Sequence, residues 1–227
     1  MVDEHVAHHG LMTTGINFGP DGALYLADWG NNGWAPHEKG RIMKLDSPRA
    51  IDRPLRIQTR KLLGDGFAMR DDTELSRLLA HADQRVRLES QFELVKRNAS
   101  NALLTVAKEN DSQLARIHAI WGIGQLGRKE QDAIIPLRPL LNDPDPEIQA
   151  QLLRVISDAY HNDFSEEASD LLSSPHPRVQ LFAGLALGKI GSAKNVPVIT
   201  DFLEANNNED VFLRHAGVVA LARAAEE

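Results

Sequence analysis

Residues 174–191 read SPHPRVQLFAGLALGKIG, and the fold follows from how often that wording returns. Set residues 142–157, NDPDPEIQAQLLRVIS, above it. Pro144 then falls on Pro175, Pro146 on Pro177, Ile148 on Val179 and Leu152 on Ala183, each 31 residues apart. Twice that distance before Ile148 stands Val86, in HADQRVRLESQFELV, where Arg85 corresponds to Arg178 and Leu94 to Leu187. A further copy, ARIHAIWGIGQLG, matches the end of the stretch, with Gly124 on Gly188 and Gly127 on Gly191. A fifth, EDVFLRHAGVVALA, follows at about the same interval. A period in this range marks stacked supersecondary units.

Within a copy, Val179, Ala183, Leu187 and Ile190 recur at spacings of three and four, which places them on one helical face. Ala183, Gly184, Ala186 and Gly188 are small enough to let a neighbouring helix come close. Asp145 is an N-cap with Pro146 at the first helical position; Asp83, Asp111 or Ser112, and Asp210 suit the same role in their copies. A second amphipathic segment precedes each copy: TELSRLLAH, NALLTVAKE, AIIPLRPLLN, SEEASDLLSS and NVPVITDFLEA. The expected fold is therefore mainly α. About five helical hairpins form a right-handed α-solenoid over residues 71–227, because a lone hairpin cannot bury its apolar stripe and a stack can. The spacing and wording resemble the short HEAT-like repeats first recognised in phycobilisome lyase proteins. That resemblance speaks to architecture and hardly to chemistry.

The chain carries 25 basic and 32 acidic residues, a net charge of −7. No basic stripe offers phosphate contacts, so nucleic acid is not the expected partner. Cysteine is absent, which rules out disulfides, thiolate catalysis, cysteine zinc sites and thioether haem attachment within these residues. No apolar run reaches the ~18 to 20 residues of a membrane span, and residues 1–10 lack a signal-peptide core.

Before the repeats the period changes. INFGPDGALYLADWGNNGWAPHEKGRIMKL, residues 16–45, alternates as strands do. A strand over 16–18, a Gly19-Pro20-Asp21-Gly22 turn, a strand over 23–27 and a third over 40–45 are expected, enough for most of one β-propeller blade. The domain reading is a partial blade over 1–46, a linker over 47–70, and the solenoid over 71–227. The linker holds Arg49, Arg53, Arg56, Arg60 and Lys61, the one positive cluster. It reads as a solvated connection or a strand edge against the repeats, with an anion site as the alternative.

FGPDGALYLADWG followed by GRIMKL is similar to the last blade of glucose/sorbosone dehydrogenase-type propellers. Blade, linker and repeats in that order resemble large exported planctomycete-type proteins known as membrane-bound dehydrogenase-type or haem-binding proteins. In that family a propeller precedes HEAT-like repeats and a cytochrome-c-type domain with a CxxCH motif. The resemblance implies a periplasmic or exported location and a redox parent using haem c or a quinone. It also implies that this chain is a fragment without those parts, so no cofactor is expected within it.

Few residues invite a chemical role. Asp28, Trp29, Trp34, His37, Lys39 and Arg41 share one loop that, by resemblance, borders a quinone site; alternatively Asp21 and Asp28 hold turns while the tryptophans cover an edge. His5, His8 and His9 have helical metal-site spacing but no carboxylate or fourth ligand at a diagnostic spacing, and read instead as a tag-like terminus or loop histidines. Asp83, Asp111, Asp145 and Asp210, with Arg85, Arg116, Arg178 and Arg214, recur from copy to copy. Recurrence fits a ladder of hydrogen bonds between repeats, since a catalytic group would occur once. His118, His215 and Trp121 read as packing residues. There is no GxGxxG after a strand, no P-loop, no HExxH and no GxSxG. The functional expectation is a noncatalytic scaffold that binds a protein partner, or neighbouring domains of its parent, on a concave face lined by the second helices. The alternative is one part of a quinone- or haem-linked sugar-type dehydrogenase. A bilin lyase rests only on the name of the repeat type.

Overall fold

The computed structural model describes residues 11–30, 33, 35, 36 and 38–225. It divides into two compact units, residues 1–67 and 68–227.

The first unit holds an antiparallel meander of β1 (Thr13–Phe18), β2 (Leu24–Asp28) and β3 (Arg41–Leu45), in that order. Ile16 lies opposite Leu26, and Leu26 opposite Met43. The β1–β2 turn forms as its residues dictate: Gly22 takes a positive φ of 75°, and its amide donates to the Gly19 carbonyl at 2.9 Å. Asp21 accepts from the Ala23 amide at 3.2 Å and from Lys44 Nζ at 2.6 Å. The lysine is the main cause that draws the Asp21 carboxyl down to about 2.

The expected linker is not plain coil. Pro54–Asp65 forms a helix, α1, with its proline at the first position, where the missing N–H costs nothing. Arg56 fixes it to the meander by donating to both Asp46 carboxylate oxygens, at 2.7 and 2.8 Å, and to the Asp21 carbonyl at 2.6 Å. Lys61 pairs with Asp65 one turn on, at 2.5 Å. The positive cluster is thus partly neutralised by aspartates of its own unit.

The second unit is the solenoid of HEAT-like hairpins. Its first hairpin pairs α2 (Asp72–Leu78) with α3 (Gln84–Lys96), and its second α4 (Ser100–Glu109) with α5 (Gln113–Gly127). The third sets a 3-10 helix over Gln131–Asn142 against α6 (Pro146–Ala159). The fourth sets α7 (Ser165–Asp170), flanked by 3-10 turns, against α8 (Pro177–Ile190); the fifth joins α9 (Val196–Asn206) to α10 (Val211–Ala224). The second helices pack in sequence: α3 on α5, α5 on α6, α6 on α8 and α8 on α10. Val86, Leu94, Ile120, Ile148, Leu152, Val179 and Leu187 of that row are fully buried.

Local chemistry explains the boundaries. Asp83, Asp145 and Asp210 each accept a backbone amide at the start of α3, α6 and α10. For α5 the cap is Ser112, not Asp111. The segment expected as an ordinary helix before α6 is instead a 3-10 helix. Pro136 and Pro139 remove two amide donors, and the tighter three-residue turn brings Ile134, Leu137 and Leu140 to one buried edge.

Candidate functional site

Aligning the copies assigns one position of the second helix to Phe92, Trp121, Arg154, Leu185 and Val219. Because the second helices are stacked side by side, residues at one repeat position form a row across α3, α5, α6, α8 and α10. At its start the row borders a groove of about 210 Å³ lined by Leu88, Phe92, Trp121, Val155, Arg128 and Arg154, with Gln91, Gly124, Gln125 and Asp158. Gly124 is required there: a Cβ would stand 2.8 and 2.9 Å from the two Val155 methyls.

Polar side chains under the row lock the helices in register. Trp121 Nε1 donates to Gln151 Oε1 at 2.8 Å, and Gln151 Nε2 donates to Glu147 Oε1 at 2.7 Å. Glu147 in turn accepts from Arg178 of the next unit, through Nε and through NH2 at 2.9 Å. Hydrogen bonds from α5 and from α8 therefore converge on Glu147 of α6. Burial works to raise the Glu147 carboxyl, but Arg178 and Gln151 outweigh it and hold it below its ordinary value. A second link joins α6 to α8: Asp158 accepts from Lys189 at 3.0 Å and lies 3.9 Å from Arg128.

His118 sits behind Trp121, 2 % exposed and edge-on to the indole at 5.1 Å. Its Nδ1 bonds Gln91 Oε1 at 2.8 Å; an amide oxygen only accepts, so the ring hydrogen is on Nδ1. Burial, then the nearby Arg87 charge, draws this imidazole down from 6.5 to about 4. The folded ring therefore resists a proton that the unfolded ring takes readily. Stability from this group is complete above about pH 6.5 and declines as pH falls towards 4. Urea unfolding of the helical unit at pH 7 and pH 5 should show a loss of about 2 kcal/mol in the wild-type chain. In His118→Gln that slope should be largely absent, and an equal slope in the variant would show that other groups cause it.

The recurrent Asp and Arg residues divide. Arg116 reaches the next unit's turn, pairing with Asp143 through both terminal nitrogens, and also donates to the Ala107 carbonyl at 2.9 Å. Arg178 reaches back to Glu147, and Asp145 both caps α6 and accepts from Gln113 at 2.7 Å. Arg85 pairs with Asp83 inside its own copy, at 2.8 Å. Asp111, Arg214 and His215 are exposed.

In the blade loop, Asp28 is buried and accepts from Arg41 Nε at 2.7 Å, from the Met12 amide at 2.9 Å and from the Gly30 amide at 3.2 Å. Arg41 is the chief cause holding its carboxyl low. Three donors of its own fold thus hold this carboxylate in the loop. Haem c does not fit these residues, because no cysteine is present to form its thioethers. Trp29 Nε1 donates to the Gly33 carbonyl at 2.5 Å. Trp34 and His37, like His5, His8 and His9, lie outside the described residues. Among the described residues no cluster of His, Asp and Glu could hold a metal, and no helix is long and apolar enough to cross a membrane.

Fold and site together define an α-helical repeat module whose distinctive surface is a row of side chains on its second helices. The comparisons agree in architecture: a family model described as HEAT repeats matches residues 135–222. Among solved structures, the complex of CpcE and CpcF of phycocyanin lyase from Nostoc sp. PCC7120 is similar at a TM-score of 0.53 and 19 % identity. That match covers 70 % of this chain and 66 % of that one, so this chain spans just under two thirds of its length. A designed armadillo repeat protein in complex with peptide (KR)4 matches at a TM-score of 0.49 and 18 % identity, over 74 % and 85 % of the two chains. An engineered protein matches at 0.47 and 17 %, over 68 % and 79 %. Identities this low concern the fold. No curated protein matches the sequence.

Proposed function

We propose that this chain is a noncatalytic scaffold that binds a protein partner along its row of second helices. The observation that carries this reading is the groove at Phe92 and Trp121, a partly exposed apolar surface on helices whose register is fixed from beneath by Trp121, Gln151, Glu147 and Arg178. A preorganised surface binds without a large ordering cost. The test is a photo-cross-linking amino acid at Gln125, in the groove, and at Lys108, exposed on α4 in the other row. Cells of the source organism should yield a discrete adduct from position 125 and not from 108. Equal labelling at both positions, or none at either, rejects the reading.

A second reading, membership of an exported redox protein, draws support from the sequence resemblance and from the meander's exposed apolar residues. Ile16, Phe18 and Ile42 are 60 to 70 % exposed, as suits a blade surface that neighbouring blades cover. Sequencing the flanking genomic DNA tests it: further blades upstream and CxxCH downstream support the reading, and unrelated neighbours reject it.

A further inference from the structure

We infer that the groove on α3, α5 and α6 takes an acidic peptide segment of a partner protein, anchored by one large apolar side chain. This rests on the scaffold reading and adds the chemistry of the partner.

Size comes first. At about 210 Å³ the groove falls below the roughly 300–1,000 Å³ of sites that enclose a drug-sized ligand or cofactor. It suits one side chain of a longer segment. Its walls are Leu88, Phe92 and Trp121, with Val155 as floor, and Phe92 is 46 % exposed although its repeat position is shared with Trp121. The indole N–H is already engaged by Gln151, so the ring presents carbon to the groove. An aromatic or branched aliphatic anchor meets those surfaces best.

Charge decides the flanks. Arg128 and Arg154 stand on the rim, and Lys189 lies one repeat further along beside Asp158. Asp158 is the one carboxylate in the lining, and it is shared by Arg128 and Lys189. Arg154 is exposed and pairs with no carboxylate among the described residues. Glu147 is engaged by Gln151 and Arg178, and Glu89, exposed on α3, lies outside the lining. Within the lining two cations therefore face one acid, on a protein of net charge −7. Guanidinium groups bind carboxylates in two-pronged fashion, so an acidic segment complements this rim and a basic one is repelled.

The test uses the full chain and a fluorescein-labelled nonapeptide, GDEDFDEDG, read by fluorescence anisotropy. Three companion peptides carry Asn and Gln in place of the acids, Lys in place of the acids, or Ser in place of Phe. The acidic Phe peptide should bind at least about tenfold more tightly than each companion and weaken as salt rises. Arg154→Glu should weaken it about tenfold or more, Arg154→Lys far less, and Lys108→Glu, the same charge change in the other helix row, hardly at all. Binding no tighter than the neutral peptide, no binding to ~1 mM, or equal effects at 154 and 108 overturns the inference. If that happens while the cross-linker at 125 still captures a partner, the scaffold reading survives without its acidic partner. If the cross-linker also fails, both fall.

Discussion

Arg116→Met should destabilise the helical unit by about 3 kcal/mol, and Asp143→Asn in the same chain should restore most of that. Asp143 is largely buried, with its side chain 8 % exposed, and it lies in the turn before α6, whereas Arg116 is on α5 of the preceding unit. Burial pushes the Asp143 carboxyl up; Arg116 and the Asp145 amide, donating at 3.0 Å, outweigh it and hold the group below its ordinary value. Methionine fills the arginine stem's space but leaves a buried carboxylate unpaired, and the carboxylate is the costly partner. Asparagine removes that charge and still accepts from Asp145. The pH dependence follows with a definite sign. In the wild type the lowered carboxyl contributes stability above about pH 4, lost as pH falls through its folded value. In Arg116→Met the folded carboxyl moves above its unfolded value, so the variant gains relative to wild type as pH falls through that raised value, and the gap starts to narrow above about pH 4. Urea titrations of the three chains at pH 7 and pH 3.5 check this. A double variant as unstable as the single one would mean that the arginine's bond to Ala107 mattered more than the charge pair.

The hairpins were legible because the second helices share a grammar: a capping Asp or Ser in four of them, a proline at the first position in α6 and α8, then apolar residues every three or four places. The meander was legible because Gly22 needs its left-handed turn. Three features were hidden, each for a physical reason. α1 looked like a linker because arginines and a proline mask its helical pattern, and what holds it is Arg56 reaching Asp46 across 10 residues of chain. The 3-10 helix before α6 depends on how two prolines compete with four buried apolar residues. The groove is the third. Trp121 read as core, yet its position aligns with Phe92 and Arg154, which a buried position would not tolerate. That alignment was available in the sequence. The hydrogen bonds from Trp121 to Gln151 and from His118 to Gln91 were not, because Gln91 and Gln151 are 27 and 30 residues from their partners and ordinary helix formers by themselves. The recurrent Asp and Arg residues suggested one ladder. The structure divides their work among capping, local pairing and three links between units, since a repeat position fixes where a side chain starts and its neighbours decide where it ends.

Gly184→Val should cost about 3 kcal/mol and release the fifth hairpin while the four before it stay folded. Gly184 is buried on α8 where α10 crosses. A Cβ there would stand 2.9 Å from the Ala216 Cβ and 3.3 Å from its backbone carbon. Neither atom can swing away as a long side chain can, so α10 itself must move. Gly188 repeats the constraint one turn on, with a Cβ only 2.6 Å from a Val219 methyl, so a shift that relieves one contact has little room at the other. The helix-propensity gain from losing a glycine, up to about 1 kcal/mol, is smaller than the clash and is further reduced by valine's branching. In a stacked array each unit is held by its neighbours, so the damage falls on the hairpin that meets α8 through this contact, α9 and α10. Hydrogen exchange should show lost protection over 196–224 and retained protection over 84–159. Gly184→Ala should do the same to a lesser degree, and Ala216→Gly should partly rescue it, because it removes the Cβ that the new methyl meets. Loss of protection along the whole unit would show instead that the five hairpins unfold as one, and that the α8–α10 contact is not separable from the contacts before it.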